Sequence, residues 1–217
     1  MTTLVIGNKT YSSWSLRPWL LLTQAGIPFD EEVVPLDQPE TRGRLLARSP
    51  SGRVPVLYDG DLVIWDSLAI AEYVAERHPD KQLWPADVAA RAFCRSVSAE
   101  MHSGFGALRE HMPMNLRRVN RPRADAIPAG VASDIARIKA IWRECRSRFG
   151  RGGDLLFGGF TIADSMYAPV VTRFASYGVP LDGEERRYAD ALEALTAMRT
   201  WREGAAAEEW VLSPTPD

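Results

Sequence analysis

Cysteine and histidine are scarce in this chain: its 217 residues include only two of the first and three of the second. Cys94 and Cys145 fall in separate helical patterns, and two cysteines make no disulfide framework. Each is expected to be a small buried hydrophobe. His78, His102 and His111 show neither H-E-x-x-H spacing nor pairing with cysteine, so the sequence gives no support for a metal centre. No stretch reaches the roughly 18 apolar residues of a membrane span. No Lys/Arg-dense run stands out and the formal net charge is -2, so a nucleic-acid footprint is not indicated. The first residues lack a basic segment and a small-residue cleavage site, which points to a cytoplasmic protein. Internal repeats and low-complexity tracts are also missing. What remains is ordinary globular composition, 46% hydrophobic and 25% charged, with length for one large or two modest domains.

Secondary-structure signals divide the chain. Thr3-Leu4-Val5-Ile6-Gly7 reads as a short strand and is followed by an apolar helix ending at Ala25-Gly26. Phe29 to Leu36 reads as a second strand, which makes a βαβ unit with parallel pairing. Asp37 to Arg48 is a short helix or irregular segment with Leu45 and Leu46 facing inward. Arg53 to Tyr58 and Leu62 to Trp65 form a hairpin about Asp59-Gly60, and Asp66-Ser67 opens an amphipathic helix. After a proline-bearing connector no convincing strand appears. Helical patterns fill Val88 to Leu108, Pro128 to Phe149, Ile162 to Tyr177 and Glu184 to Arg202. The expected division is therefore a βαβαββα domain over 1–80, a linker over 81–88 and an all-helical domain over 89–217.

Chemistry concentrates at Tyr11-Ser12-Ser13-Trp14-Ser15-Leu16-Arg17-Pro18, where the first strand gives way to the first helix. A helix start leaves backbone N–H groups unpaired and favours negative charge, and hydroxyls there can donate to an anion. Proline is tolerated only early in a helix, so Pro18 places the start near Trp14 or Ser15. Ser12 and Ser13 then face a ligand, while Ser15 caps.

Four features together resemble the cytosolic glutathione transferases over nearly the whole chain. Ser12-Ser13-Trp14-Ser15-Leu16-Arg17 is similar to the serine-type members, and most to the zeta-class pattern Ser-Ser-Cys-Ser-x-Arg. Val54-Pro55 resembles the cis-proline that opens the third strand of a thioredoxin-like fold. Asp66-Ser67-Leu68-Ala69-Ile70 resembles the Glu/Gln-Ser-x-Ala-Ile motif, and Thr161-Ile162-Ala163-Asp164 the buried capping box of the helical domain.

The resemblance implies a thioredoxin-like N-terminal domain, a helical C-terminal domain, glutathione as co-substrate and a homodimer. It gives Ser12, with Ser13 the close alternative, the task of stabilising the glutathione thiolate. Val54 would pair with the cysteinyl backbone beside Pro55, and Arg53 could reach a carboxylate. Asp66 and Ser67 would hold the γ-glutamyl end. A small hydrophobic electrophile is expected between the domains, against Trp14, Met101, His102, Phe105 and Arg109. Met101, Phe105 and Arg109 are placed on one face of one helix, and the loop from His111 through Pro122 beside the pocket. His102 is suited by type to proton transfer, but the sequence shows no partner for it. Trp14 stands where zeta enzymes carry cysteine, which favours conjugation over cis–trans isomerisation. A non-catalytic binding protein of the same fold is the remaining alternative.

Overall fold

In a computed structural model of the protein, which describes residues 2–118 and 127–212, a four-stranded sheet precedes a set of helices. The chain runs β1 (Thr2–Ile6), α1 (Ser13–Gln24), β2 (Asp30–Val33), α2 (Thr41–Leu46), β3 (Val56–Asp59), β4 (Leu62–Ile64) and α3 (Ser67–Arg77). A 3₁₀ turn at Pro79–Lys81 leads into α4 (Val88–Ser103), α5 (Gly106–His111), α6 (Ala129–Phe149), α7 (Ile162–Ser176), α8 (Gly183–Glu193) and α9 (Thr196–Ala207). The strand order is β2-β1-β3-β4. β1 and β2 are parallel, as the βαβ reading requires, with Thr3 opposite Asp30. The pairs β1–β3 and β3–β4 are antiparallel. Gly60, at φ +59°, and Asp61 form the hairpin turn, one residue later than expected. Asn120, Arg121 and Pro122, the far end of the expected pocket loop, lie outside the described residues.

α1 is the element shared by both halves. Its Leu16, Trp19, Leu20, Leu21 and Leu22 are all buried, and it packs on α3 to one side and on α7 and α9 to the other. A continuous core therefore runs from Leu4 and Ile6 of β1 through α1 to Trp142 of α6 and Trp201 of α9. The opposite face of the sheet is covered more thinly, by Val5, Val34, Leu45 and Val56. Leu45 of α2 is buried as expected, but Leu46 is exposed.

Two long helical patterns are each split in the fold. The helix expected from Val88 to Leu108 ends at Ser103. At Gly104 an added Cβ would lie 2.7 Å from the Glu100 carbonyl, and Phe105 takes a left-handed φ of 60°. Only glycine fits so close an approach, and the turn redirects α5. Met101, Phe105 and Arg109 therefore do not share one helical face, and Met101 and Phe105 are buried in the core. The second pattern breaks at Ala194–Leu195, where neither glycine nor proline marks the change.

α7 is buried along almost its whole length and begins with the expected capping box. Asp164 is fully buried. Its carboxylate accepts from the backbone N–H of Thr161 at 2.8 Å, the Thr161 hydroxyl at 3.0 Å and the backbone N–H of Leu156 at 3.0 Å. Burial pushes its pKa up to about 6, against the pull of those donors. The folded chain thus holds the Asp164 proton more tightly than the unfolded chain does. This group favours folding most below the ordinary aspartate value of 3.8, and that contribution is lost as pH rises through about 6. Asp164→Ala strands two buried backbone donors and should lower stability by about 2–4 kcal/mol. Denaturant titrations at pH 4 and pH 7 check both points: the variant loses stability at each pH, and the part of the wild-type pH slope due to Asp164 disappears.

Candidate functional site

A cavity of about 400 Å³ lies where the start of α1, the loop before β3, the start of α3 and the end of α4 converge. Trp14, Ser51, Arg53, Val54, Pro55, Trp65, Asp66, Ser67 and His102 line it. Seven of these were expected from the sequence. Ser51 and Trp65 were not, though each sits beside a recognised motif.

The peptide bonds Val54–Pro55 and Trp65–Asp66 are both cis. Ser67, the first residue of α3, is 1% exposed, and its hydroxyl has no hydrogen-bond partner among the described residues. A buried hydroxyl without a partner is costly, so this one is suited to a ligand. Asp66 is the N-cap of α3 and accepts from the backbone N–H of Leu68 at 3.0 Å and of Ala69 at 3.3 Å. Its other oxygen lies 2.8 Å from Nε2 of His102. The partner that sequence reading could not supply for His102 is thus Asp66, reached from the helical half of the chain. Nδ1 of His102 is buried and has no partner among the described residues.

At the start of α1 the roles of the serines differ from expectation. Ser12, not Ser15, is the N-cap. Its Oγ accepts from the Ser15 backbone N–H at 3.3 Å and donates to Ser15 Oγ at 2.7 Å. Ser15 is fully buried and accepts from the Gly7 N–H at 3.0 Å, tying the helix to the end of β1. The helix begins one residue earlier than Pro18 suggested, so that proline lies inside it, with no N–H to offer the Trp14 carbonyl. Ser13 is the first helical residue, and no hydrogen bond engages its hydroxyl among the described residues. Both Ser12 and Ser13 are 6% exposed, and neither lines the cavity itself.

Trp14 joins this start to a group of cations. The His102 ring meets it edge-on at 5.4 Å. The Arg17 guanidinium lies 4.2 Å from its ring centre and that of Arg109 lies at 5.7 Å. Arg109 thus reaches the Trp14 ring without lining the cavity itself, and it donates to the Met101 carbonyl at 3.4 Å. Arg17 was quoted in the motif without a role. It is 1% exposed, and none of its three nitrogens has a partner among the described residues. Burial, then repulsion from Arg173 and Arg109, pushes it down to about 9, with Asp66 pulling the other way. Arg173 of α7 is held down to about 10, by burial and then by Arg109, and donates from Nε to the Met112 carbonyl at 2.9 Å. Three arginines therefore converge with little opposing charge.

Family models for the N-terminal and C-terminal domains of glutathione S-transferase match residues 11–77 and 123–205. The chain belongs to the glutathione S-transferase family. Among relatives of this family, a probable maleylacetoacetate isomerase of Caenorhabditis elegans is 28% identical over 167 residues, covering 75% of this chain and 74% of its own. Glutathione S-transferase Z2 of Arabidopsis thaliana is 26% identical over 175 residues, covering 74% and 75%. A bacterial zeta-class maleyl pyruvate isomerase shares the glutathione S-transferase fold with a TM-score of 0.72 and 24% identity, over 94% of this chain and 97% of that one. The thioredoxin-like sheet followed by helices is thus the fold of the family, and the first-helix motif and these relatives agree on a zeta-like affinity. No helix among the described residues is long and apolar enough to cross a membrane.

Both cysteines lie away from the cavity. Burial pushes the Cys94 thiol up to about 12 and the Cys145 thiol higher still. Neither should react with an aromatic disulfide reagent at pH 8 while the protein is folded, and both should react in denaturant. Colorimetric thiol counting in the two conditions checks this.

Proposed function

We propose that the chain is a glutathione transferase in which a serine at the start of α1 holds the glutathione thiolate for attack on a small hydrophobic electrophile. The observation that carries this reading is the single cavity shared by the Ser67 hydroxyl, the Asp66 carboxylate and the Val54–Pro55 edge, beside a serine-rich helix start. Glutathione is the co-substrate. Ser67, through its backbone N–H and its hydroxyl, unpartnered among the described residues, suits the γ-glutamyl carboxylate, and Asp66 suits the ammonium. The backbone of Val54 is placed to pair with the cysteinyl residue like an added strand, with the exposed Arg53 in reach of a carboxylate.

A free thiol has a pKa near ~8.5, and only its thiolate attacks well. A serine hydroxyl is too weak a base to take the proton, so it serves by donating to the thiolate. Ser12 can do so if the serine pair exchanges roles. A hydroxyl proton is free to rotate, so Ser15 can donate to Ser12 across the same 2.7 Å contact, freeing the Ser12 proton for sulfur. Ser13 offers its hydroxyl without any exchange.

The second substrate approaches from the side of Trp14, His102 and Arg109. An isomerase reading is favoured by one observation, the buried Arg17 that has no partner among the described residues and has Arg173 and Arg109 beside it, because a buried cationic group suits an acceptor bearing carboxylates. The same reading has the protein acting in the cytoplasm as a homodimer, divided near residues 81–88. The exposed Leu62, Val63 and Trp65, on and just beyond β4 at the edge of the sheet, support the dimer.

Ser12→Ala and Ser13→Ala decide the thiolate donor. One of them should lower turnover of a chlorinated aromatic by about 10²-fold with glutathione affinity kept. Steady-state kinetics and calorimetry give the two quantities, and normal turnover in both variants would end the serine reading. Arg109→Gln should raise KM about tenfold for an acceptor carrying a carboxylate, and much less for its uncharged ester.

A further inference from the structure

The serines sit at the end of a tight turn, and that turn is held from the far end of the chain. The N–H groups of Tyr11 and Ser12 both donate to the Asn8 carbonyl, at 3.2 and 2.8 Å. The Asn8 side chain accepts from the Leu36 N–H at 2.7 Å, which fixes one side of the turn. Between them, the N–H groups of Lys9 and Thr10 point outward and meet one carboxylate. Glu208 accepts from Lys9 N at 2.5 Å through Oε1, and through Oε2 from Thr10 N at 2.9 Å and the Thr10 hydroxyl at 2.8 Å. Trp201 Nε1 adds a bond to the Lys9 carbonyl at 3.0 Å. Glu208 is itself placed, because Arg117 donates to its carbonyl.

Two adjacent backbone N–H groups and a hydroxyl converging on one carboxylate make a charge-assisted clamp. Thr10 is fully buried and its N–H has no other acceptor among the described residues, so losing the carboxylate would leave the turn to find a new conformation. Every residue of that clamp lies outside the stretches that match the family models, which begin at residue 11 and end at residue 205.

We propose that Glu208 is a positioning residue for the thiolate site: by fixing the Lys9–Thr10 backbone it sets where the Ser12 and Ser13 hydroxyls stand relative to sulfur. This rests on the serine reading above. Glu208 is not placed against any reacting atom, and its effect passes through the turn. The contribution of a hydroxyl donor depends on its distance and direction, and a misplacement of about 1 Å can cost ~10²-fold in rate. Glutathione binding draws instead on Ser67, Asp66 and Val54, which the turn does not touch. A positioning role therefore separates kcat from glutathione affinity, which general loosening of the fold would not do.

The test uses the full chain with Glu208→Ala, and Thr10→Val as a second variant that keeps the backbone donors but removes the hydroxyl contact. Wild-type glutathione binding is measured first by calorimetry. The pKa of the bound thiol is then read from the far-ultraviolet absorbance of its thiolate, alongside kcat and KM. For Glu208→Ala the expected result is a fall in kcat of about tenfold or more, a bound thiol titrating about one pH unit higher, and a glutathione Kd within about twofold of wild type. Thr10→Val should shift kcat and the thiol pKa in the same direction by less. Should Glu208→Ala fail to fold, Thr10→Val carries the test alone. An unchanged thiol pKa and kcat in a folded variant overturns the positioning role while leaving the serine reading intact. If Kd, kcat and melting temperature all worsen together, Glu208 is a structural brace and the proposal is equally overturned. Failure of the wild-type protein to bind glutathione overturns the serine reading, and this proposal with it.

Discussion

The packing of α1 against two partners at once is the constraint from which the rest of the structure follows. One face of this helix must complete the core over the sheet and α3, and the other must complete the core against α7 and α9. A helix apolar all round has no solvent side, so its residues from Leu16 to Leu22 are fixed in place by neighbours from both ends of the chain. Its first turn consequently falls at the border between the sheet and the helices, and it is there that a hydroxyl, an aromatic ring and a guanidinium come within reach of one cavity.

Charge at that border is distributed unevenly. Asp66 and its partner His102 stand at one side of the cavity. Behind Trp14 lie Arg17, Arg109 and Arg173: burial works against the charged form of each, and repulsion from neighbouring arginines adds to it for Arg17 and Arg173. Uncompensated buried charge is among the more expensive features a fold can retain. Its presence here, next to a helix N-terminus that already favours anions, gives the site a polarity: a carboxylate at one end for a cationic group, and a positive interior at the other for an anionic one. A thiolate formed between them would be stabilised by the second without being neutralised by the first.

Much of this was legible in the sequence because it is written locally. The βαβ unit, the hairpin expected at Asp59-Gly60 and the capping box at Thr161–Asp164 depend on turn chemistry and periodicity over a few residues, and the structure agrees with each in kind, the hairpin turn falling one residue later. Val54, Pro55, Asp66 and Ser67 were found because they belong to short contiguous motifs. What escaped depends on contacts between distant segments. The helix expected through residue 104 keeps its apolar spacing across the break, and only the approach of Gly104 to the Glu100 carbonyl shows why it stops. His102 looked solitary because Asp66 lies on another element. The helix start was misjudged by assigning the capping role from Pro18, when a tertiary bond from Gly7 to Ser15 Oγ had already committed Ser15 elsewhere.

The contact between Lys9 and Glu208 spans 199 positions of sequence. Closing a loop of that length carries an entropic cost, and it cannot happen before α1 through α9 have all been made. On a ribosome the turn before Ser12 is made nearly two hundred residues ahead of the residue that braces it. The nascent chain can therefore complete its sheet and its cap at Asp66 long before the serine turn is braced.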